Sequence, residues 1–354
     1  MAAAACGAKA PVSIFERRSP LLTWVGEFTR PSGTIYPQLS DSARFGSISG
    51  LAPDERSQQW VAVIDDRVDS RLAWLTVSYD ESGVGVAPLR MTFLTPGPGI
   101  PDRVVRQADL EAIVSLADGT FLVAEEGHIR DGEVWQPVLL RVDREGVVSA
   151  VIELPAAFHI TSDGKSGLRD NQGIESLAVT PSGRVIAGLE QPLFEDGSVT
   201  FERGAPGRLI EFTPSGSSFR AGRQWHYMIS PTPKIEGYDE VCGDGENGLS
   251  DLLALGETRL IALERACLYD RAGDRYANAV RLFLVDLVGG QARKRDLLNF
   301  DAMADRLSPE LARLENFEAL TFGPIIDGMP TLMIASDDNF RKTQKTSFIL
   351  IGLR

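Results

Sequence analysis

Cysteine and histidine are scarce in this chain of 354 residues, with three of each. His128, His159 and His226 share no metal-ligand spacing, which argues against a zinc site built on them. The serine-hydrolase elbow G-x-S-x-G is missing too: Gly46 to Gly50 reads G-S-I-S-G, with Ile48 where the nucleophile would stand. Gly164-Lys165-Ser166 resembles the end of a phosphate-binding loop, but the first glycine of that motif falls on His159 and no strand-to-helix passage follows. No apolar run approaches the ~18 residues of a membrane span. Positive charge is short as well, 36 Lys and Arg against 49 Asp and Glu, and the net charge of −13 repels nucleic acid and anionic membrane surfaces. The same surplus suits a cation-binding surface or simple solubility. Cys242 and Cys267 flank one hairpin, so a disulfide in an oxidising compartment and two buried thiols both stay open. The remaining cysteine, Cys6, ends the alanine run of MAAAACGAKAP, a stretch similar to the tail of an export signal with a lipoprotein processing site but without the charged and hydrophobic portions of one, so a signal remnant and a coincidence both stay open.

What is present is punctuation. The 34 glycines and 20 prolines are spread between short apolar runs, the mark of a strand-rich fold with many turns. Asn171 to Leu193, NQGIESLAVTPSGRVIAGLEQPL, packs an acid, an apolar strand, a turn, a second strand and another acid into one hairpin. The pattern recurs at Phe45 to Arg67, Asp109 to Gly127, Gly248 to Ala266 and Asn316 to Phe340. Aligning Ser49, Glu111, Glu175, Asp251 and Glu318 gives repeat distances of 62, 64, 76 and 67 residues. Two further strands follow each of the first four hairpins. A repeating four-stranded unit predicts an all-β chain folded as a single β-propeller.

The fifth copy has only three strands of its own, ending with Ser347 to Gly352, and the strand Leu21 to Thr29 has no hairpin partner. Pairing the two closes the ring, so five blades are favoured, with six if residues 12–44 hide a degenerate blade. The expected organisation is a remnant of an export signal or linker over 1–11 and one propeller domain over 12–354. Between Asn299 and Glu315 the period changes to about four, which predicts one surface helix.

In each copy the first acid opens one strand and the second closes its antiparallel neighbour, so both belong to the same end of the hairpin. The acids are Asp65, Asp66, Glu111, Glu125, Glu126, Glu175, Glu190, Asp251, Glu264, Glu318, Asp337 and Asp338. Two carboxylates ~6 Å apart at an effective dielectric of ~20 repel by about 3 kcal/mol, so such a ring needs compensation. Ca²⁺ suits hard oxygen ligands; Arg67, Arg265 and Arg341 are the alternative, adjacent partners. Lys165 and Arg169, on the loop leading to Glu175, are placed either to bind an anionic ester or as ordinary solvated charge.

NQGIESLAVTPSGRVIAGLEQPL, GLSDLLALGETRLIALERA, NFEALTFGPIIDG and SDDNFRKTQKTSFILIGL resemble the successive motifs of the bacterial "esterase-like activity of phytase" family, exported propeller proteins related to β-propeller phytases. The likeness runs over about residues 45–354; Asp251 stands where the family usually has Glu. It implies a periplasmic or extracellular protein, lipid-anchored if Cys6 is processed, that hydrolyses phosphate esters with calcium held at one mouth of the channel. By motif position, the implied metal ligands are Asp66, Glu111, Glu126, Glu175, Glu190, Asp251, Glu264, Glu318, Asp337 and Asp338, with Asn339 beside them. The implied catalytic set is Glu190, Glu264 and Arg265, to which Arg341, as the base after the Asp337-Asp338-Asn339 run, and Lys165 and Arg169, from the loop reading, are added. The expected partner is a small anionic substrate, a phosphate ester, met by a monomer without nucleic acid or a transmembrane segment. A non-catalytic propeller that binds a ligand or protein, with structural calcium, is the alternative, because one scaffold hosts many functions.

Overall fold

Burial within each four-stranded sheet falls from its first two strands to its last. Strands β1 (Leu22–Pro31), β2 (Ile48–Asp54), β3 (Gln59–Ile64), β4 (Arg71–Asp80) and β5 (Gly83–Phe93) show the rule: β2 and β3 are buried on both faces, while β5 is mostly part-buried or exposed. That is why QWVAVI reads as a continuous apolar run whereas β5 mixes polar and apolar positions. This computed structural model describes residues 19–39, 44–243, 245–311 and 313–354. Cys6 and the 1–11 segment lie outside the described residues.

The sheet β2-β3-β4-β5 is followed by β6 (Thr95–Pro96), β7 (Leu110–Ser115), β8 (Phe121–Glu125), the hairpin of β9 (His128–Arg130) and β10 (Glu133–Trp135), then β11 (Val138–Val142) and β12 (Val147–Glu153). Of these, β7, β8, β11 and β12 form the second sheet, with β6 added in parallel at its edge. Next come β13 (Ile174–Val179), β14 (Val185–Leu189), β15 (Ala205–Ser215) and β16 (Ser218–Ile229), paired in order. The short β17 (Glu240–Val241) precedes β18 (Gly248–Ala254), β19 (Arg259–Asp270), β20 (Arg275–Val288) and β21 (Gln291–Asn299), again paired in order, with β17 lying on β19. Last are β22 (Asn316–Phe322), β23 (Thr331–Asp337) and β24 (Lys345–Leu353).

The chain is thus nearly all-β, as the repeat predicts. The orphan N-terminal strand has its expected partner: β1 pairs antiparallel with β24, from Leu22 opposite Leu353 to Pro31 opposite Lys345, in a sheet ordered β1-β24-β23-β22. The helix expected over 299–315 is instead a 3₁₀ run at Phe300–Arg306. Pro309 lacks an N–H and keeps Ser308 out of the helical region, which cuts short the run suggested by the spacing. Among the described residues, no helix is long and apolar enough to cross a membrane.

Contacts divide the chain into two units. The first is Met1–Glu125, Leu139–Ile152 and Glu318–Arg354; the second is Glu126–Val138 and Glu153–Phe317. The core of the first includes Phe28, Ile48, Trp60, Leu75, Met333 and Phe348, drawn from two sheets, and Trp60 Nε1 donates to Phe322 O at 2.8 Å. In the second, Ile186, Leu209, Trp225, Leu249, Leu260 and Phe283 form the corresponding core. A disulfide joins Cys242 to Cys267, with Cα atoms 5.4 Å apart, and decides between the two alternatives for that pair.

Candidate functional site

One irregularity recurs in the first strands of four sheets. Pairing slips by a residue between Ile48 and Gly50, Leu110 and Ala112, Ile174 and Ser176, and Leu249 and Asp251. Each slip is a β-bulge that takes one residue out of the ladder and re-aims its side chain. The bulged residues are Ser49, Glu111, Glu175 and Ser250. Asp251 therefore stands one place past the bulge, opposite Leu263, and its Oδ1 accepts the Leu252 N–H at 2.8 Å. The expected alignment of Asp251 with Glu111 and Glu175 is off by one residue, because a serine occupies the equivalent seat.

The register also sorts the second acids. Glu264 lies opposite Leu249, in the place held by Ile64 opposite Ile48 and Leu189 opposite Ile174. The next residue is the equivalent one in each case: Asp65 donates its N–H to Ser47 O and Glu190 to Gly173 O, each at 2.9 Å, while Arg265 lies opposite Gly248. Side chains alternate along a strand, so Glu264 faces away from the side occupied by Arg265.

In the first unit, carboxylate oxygens of Asp65, Asp109 and Glu111 lie within 4.8 Å of one another. Backbone packing brings this about. A Cβ on Gly50 would stand 2.9 Å from Ala112 Cα and Glu111 O, so only glycine lets β2 and its bulge come this close to β7 and the neighbouring bulge. Burial, then the charges of Asp109 and Asp337, push Asp65 up to about 9, with Arg67 opposing. Arg67 meets Asp109 at 2.5 Å and Asp109 is fully buried. The donors fit a hard cation: all are oxygens, and the Ser49 hydroxyl, at the adjacent bulge, is buried without a hydrogen-bond partner.

The neighbours of this group are engaged elsewhere. Asp66 Oδ2 pairs with the buried Arg71 at 2.7 Å; burial acts against its ionisation, but the Arg71 bond and charge hold it below the usual carboxylate range. Asp337 Oδ1 accepts Ser47 Oγ and the Asn339 N–H, both at 2.6 Å. Both Asp338 oxygens are taken: Oδ1 by the Ser47 and Phe340 N–H groups, Oδ2 by Thr346 Oγ1 at 2.6 Å. Asp338 ties Ser47 to the turn after β23. Glu318 is buried on β22, and Arg341 is exposed.

The second unit has its own group. Carboxylate oxygens of Glu126 and Glu175 lie within 4.8 Å, and Glu126 Oε2 accepts the Gly173 N–H at 3.2 Å. Gly173 O in turn receives the Glu190 N–H, so Glu126 and Glu190 are both tied to this glycine. Arg265 reaches Glu190 at 3.7 Å. Glu264 is a different kind of acid: it is fully buried and accepts Tyr227 Oη and Asn247 Nδ2, each at 2.7 Å, the Ser230 N–H and Lys294 Nζ. Burial lowers Lys294 and raises Tyr227, the Glu264 charge opposing the first shift and adding to the second. A metal at Glu264 would displace four protein donors. Arg169 is also committed, its Nε to Pro192 O at 3.1 Å and an Nη to Gly197 O at 2.7 Å, while Lys165 is exposed on the loop.

Asp109, two residues before Glu111, is not among the candidate acids of the sequence, and of Asp65 and Asp66, both named there, it is Asp65 that lies in this group. The available signal was Asp109 itself, an acid where the other copies have Ser47, Gly173, Gly248 and Asn316.

A profile of the phytase-like family, described as "Esterase-like activity of phytase", matches residues 43–340. No curated protein matches the chain. Similar solved structures include an endo-arabinase from Bacteroides thetaiotaomicron VPI-5482, at 12% identity over 92% of this chain and 97% of that one, TM-score 0.48. An exo-1,5-alpha-L-arabinanase from a bovine ruminal metagenomic library matches at 10% identity over 86% and 92%, TM-score 0.40. A gluconolactonase from Xanthomonas campestris matches at 13% over 92% and 97%, TM-score 0.34.

Proposed function

The chain belongs to this phytase-like family, and from that membership we propose that it is an exported, calcium-dependent phosphoric ester hydrolase on a five-bladed propeller closed by its N-terminal strand. The observation that carries the reading is the group Asp65, Asp109 and Glu111, in which one half-buried and two buried acids bring carboxylate oxygens within 4.8 Å of one another. These three would hold a calcium ion in the first unit, with the Ser49 hydroxyl beside them. Glu126 and Glu175 would hold one in the second. Calcium there supplies Lewis-acid polarisation of a phosphoryl oxygen and makes a nearby water easier to deprotonate.

The protein's own groups do the rest. In the second unit, the Arg265 guanidinium offers two parallel N–H donors to a phosphate and offsets charge that builds in the transition state. Glu190, anchored through its N–H to Gly173 O, is the general base that takes the proton of the attacking water. The Arg265 guanidinium lies beside that carboxylate, at 3.7 Å. The Cys242–Cys267 disulfide supports export to an oxidising compartment. The substrate is a small anionic ester met by a monomer.

The test is turnover of phosphate monoesters and diesters with and without Ca²⁺, for the parent protein and Glu190→Gln. The proposal expects turnover that needs calcium and falls by about a hundredfold or more in the variant. Turnover indifferent to both changes sinks it and leaves a ligand- or protein-binding propeller.

A further inference from the structure

We propose that the turn end of the third and fourth sheets holds a second ligand site, one for a small monocarboxylate with an apolar body. A cavity of about 330 Å³ opens there, near the lower end of the ~300 to 1,000 Å³ usual for small-molecule sites. Its wall includes Arg184 just before β14, Glu257 in the turn before β19, Arg223 and Trp225 on β16, and Leu287 on β20. Arg184 precedes β14 and Glu190 follows it, six residues and about 20 Å apart along the strand. The cavity therefore lies at the end of the sheet remote from Glu190 and Arg265.

Trp225 and Leu287 are each 6% exposed and give the wall its apolar surface. The indole also carries a donor. Trp60 Nε1 donates to Phe322 O at 2.8 Å and Trp74 Nε1 to Thr92 Oγ1 at 3.1 Å, whereas the Trp225 indole N–H donates to no group among the described residues. A buried N–H without an acceptor is unfavourable, and a ligand oxygen in the cavity that this side chain lines removes the penalty.

Arg223, in the same wall, is exposed and forms no ion pair among the described residues, so its guanidinium is available to a carboxylate. Arg184 is committed: it donates to Glu211 and, at 2.8 Å each, to Glu257 O and Oε2. Two acids around that one arginine leave a negative surplus. The wall therefore suits a single negative charge at Arg223 and resists a dianion such as phosphate. It is also set before a ligand arrives. Glu257 Oε1 accepts the Ser182 N–H at 2.7 Å, which ties the turns of the two sheets together, and the Leu287 N–H donates to Thr258 O at 2.8 Å. A wall ordered before binding loses little entropy on association.

The experiment is calorimetric titration of the full chain with benzoate and with hexanoate, in EGTA, so that calcium bridges neither acid to the carboxylate groups of the protein. Saturable binding of at least one, with Kd of about 1 mM or below, is expected. Arg223→Gln should weaken it about fivefold or more, and so should Trp225→Phe, which keeps an aromatic ring and removes the N–H. Inorganic phosphate at the same concentration should not displace the bound acid. No saturable binding of either acid, or binding unchanged in either variant, overturns the site; displacement by phosphate overturns its assignment to a monocarboxylate. Arg223 is exposed, so its variant decides the question even where Trp225→Phe fails to fold.

Discussion

A carboxylate oxygen of Asp65 lies within 4.8 Å of one from Asp109, and Asp109 is fully buried. Burial first, and then the charges of Asp109 and Asp337, push Asp65 up to about 9.

The first prediction concerns pH. Asp65 binds its proton more tightly in the folded protein than in the unfolded chain, whose aspartates titrate near ~3.9. Its contribution to stability is fully present below that value and is lost as pH rises towards about 9. In EGTA, the melting temperature should fall between pH 5 and pH 9. Calcium replaces the proton and should flatten the slope, adding about 2.7 kcal/mol at free calcium 100 times its Kd. Identical pH profiles with EGTA and with Ca²⁺ would count against a calcium site in this group.

Neighbouring aspartates should behave oppositely. Asp65→Asn removes the like-charge conflict, so the metal-free protein should be as stable as the parent or more so, with the calcium-induced rise in melting temperature lost. Asp66→Asn strips the buried Arg71 of its carboxylate and should cost about 3 kcal/mol while the calcium response persists. Thermal melts of both variants, with and without Ca²⁺, check the pair.

For the buried cluster around Glu264, Glu264→Gln leaves the Lys294 ammonium without its counter-charge and should destabilise the protein by about 3 to 5 kcal/mol. Adding Lys294→Met should recover most of that loss. Urea unfolding of the two single variants and the double variant measures the coupling; additive losses would contradict a structural ion pair.

Cys242→Ser or Cys267→Ser opens a link spanning 25 residues. The loss should be about 3.5 kcal/mol by the loop-closure estimate. Melting with and without a reductant reads it: the parent should drop to the level of the variants, which should not respond.

Much of the architecture was legible in the chain because strand repeats are local. Buried inner strands such as QWVAVI, turn residues at Asp118-Gly119 and Pro181-Ser182-Gly183, and an unpartnered Leu21 to Thr29 were enough to expect four-stranded sheets and the pairing of β1 with β24. The acids were legible as a class, since they recur at the ends of these strands, and the family was legible from the motifs around Glu175, Glu318 and Asp337.

Which acid faces which way was decided only by tertiary structure. A strand has a period of two, so a one-residue bulge exchanges the faces of everything beyond it, and neither Ser250 nor Asp251 carries a sequence mark of where the slip falls. The same parity separates Glu264, sealed against Lys294, from Arg265, which meets Glu190. Asp109 joined the site only when Gly50 let two strands from different sheets approach, a contact between residues 62 apart from Gly50 to Ala112. The chain by itself determined that carboxylates would stand at the strand ends; packing and register determined which of them meet.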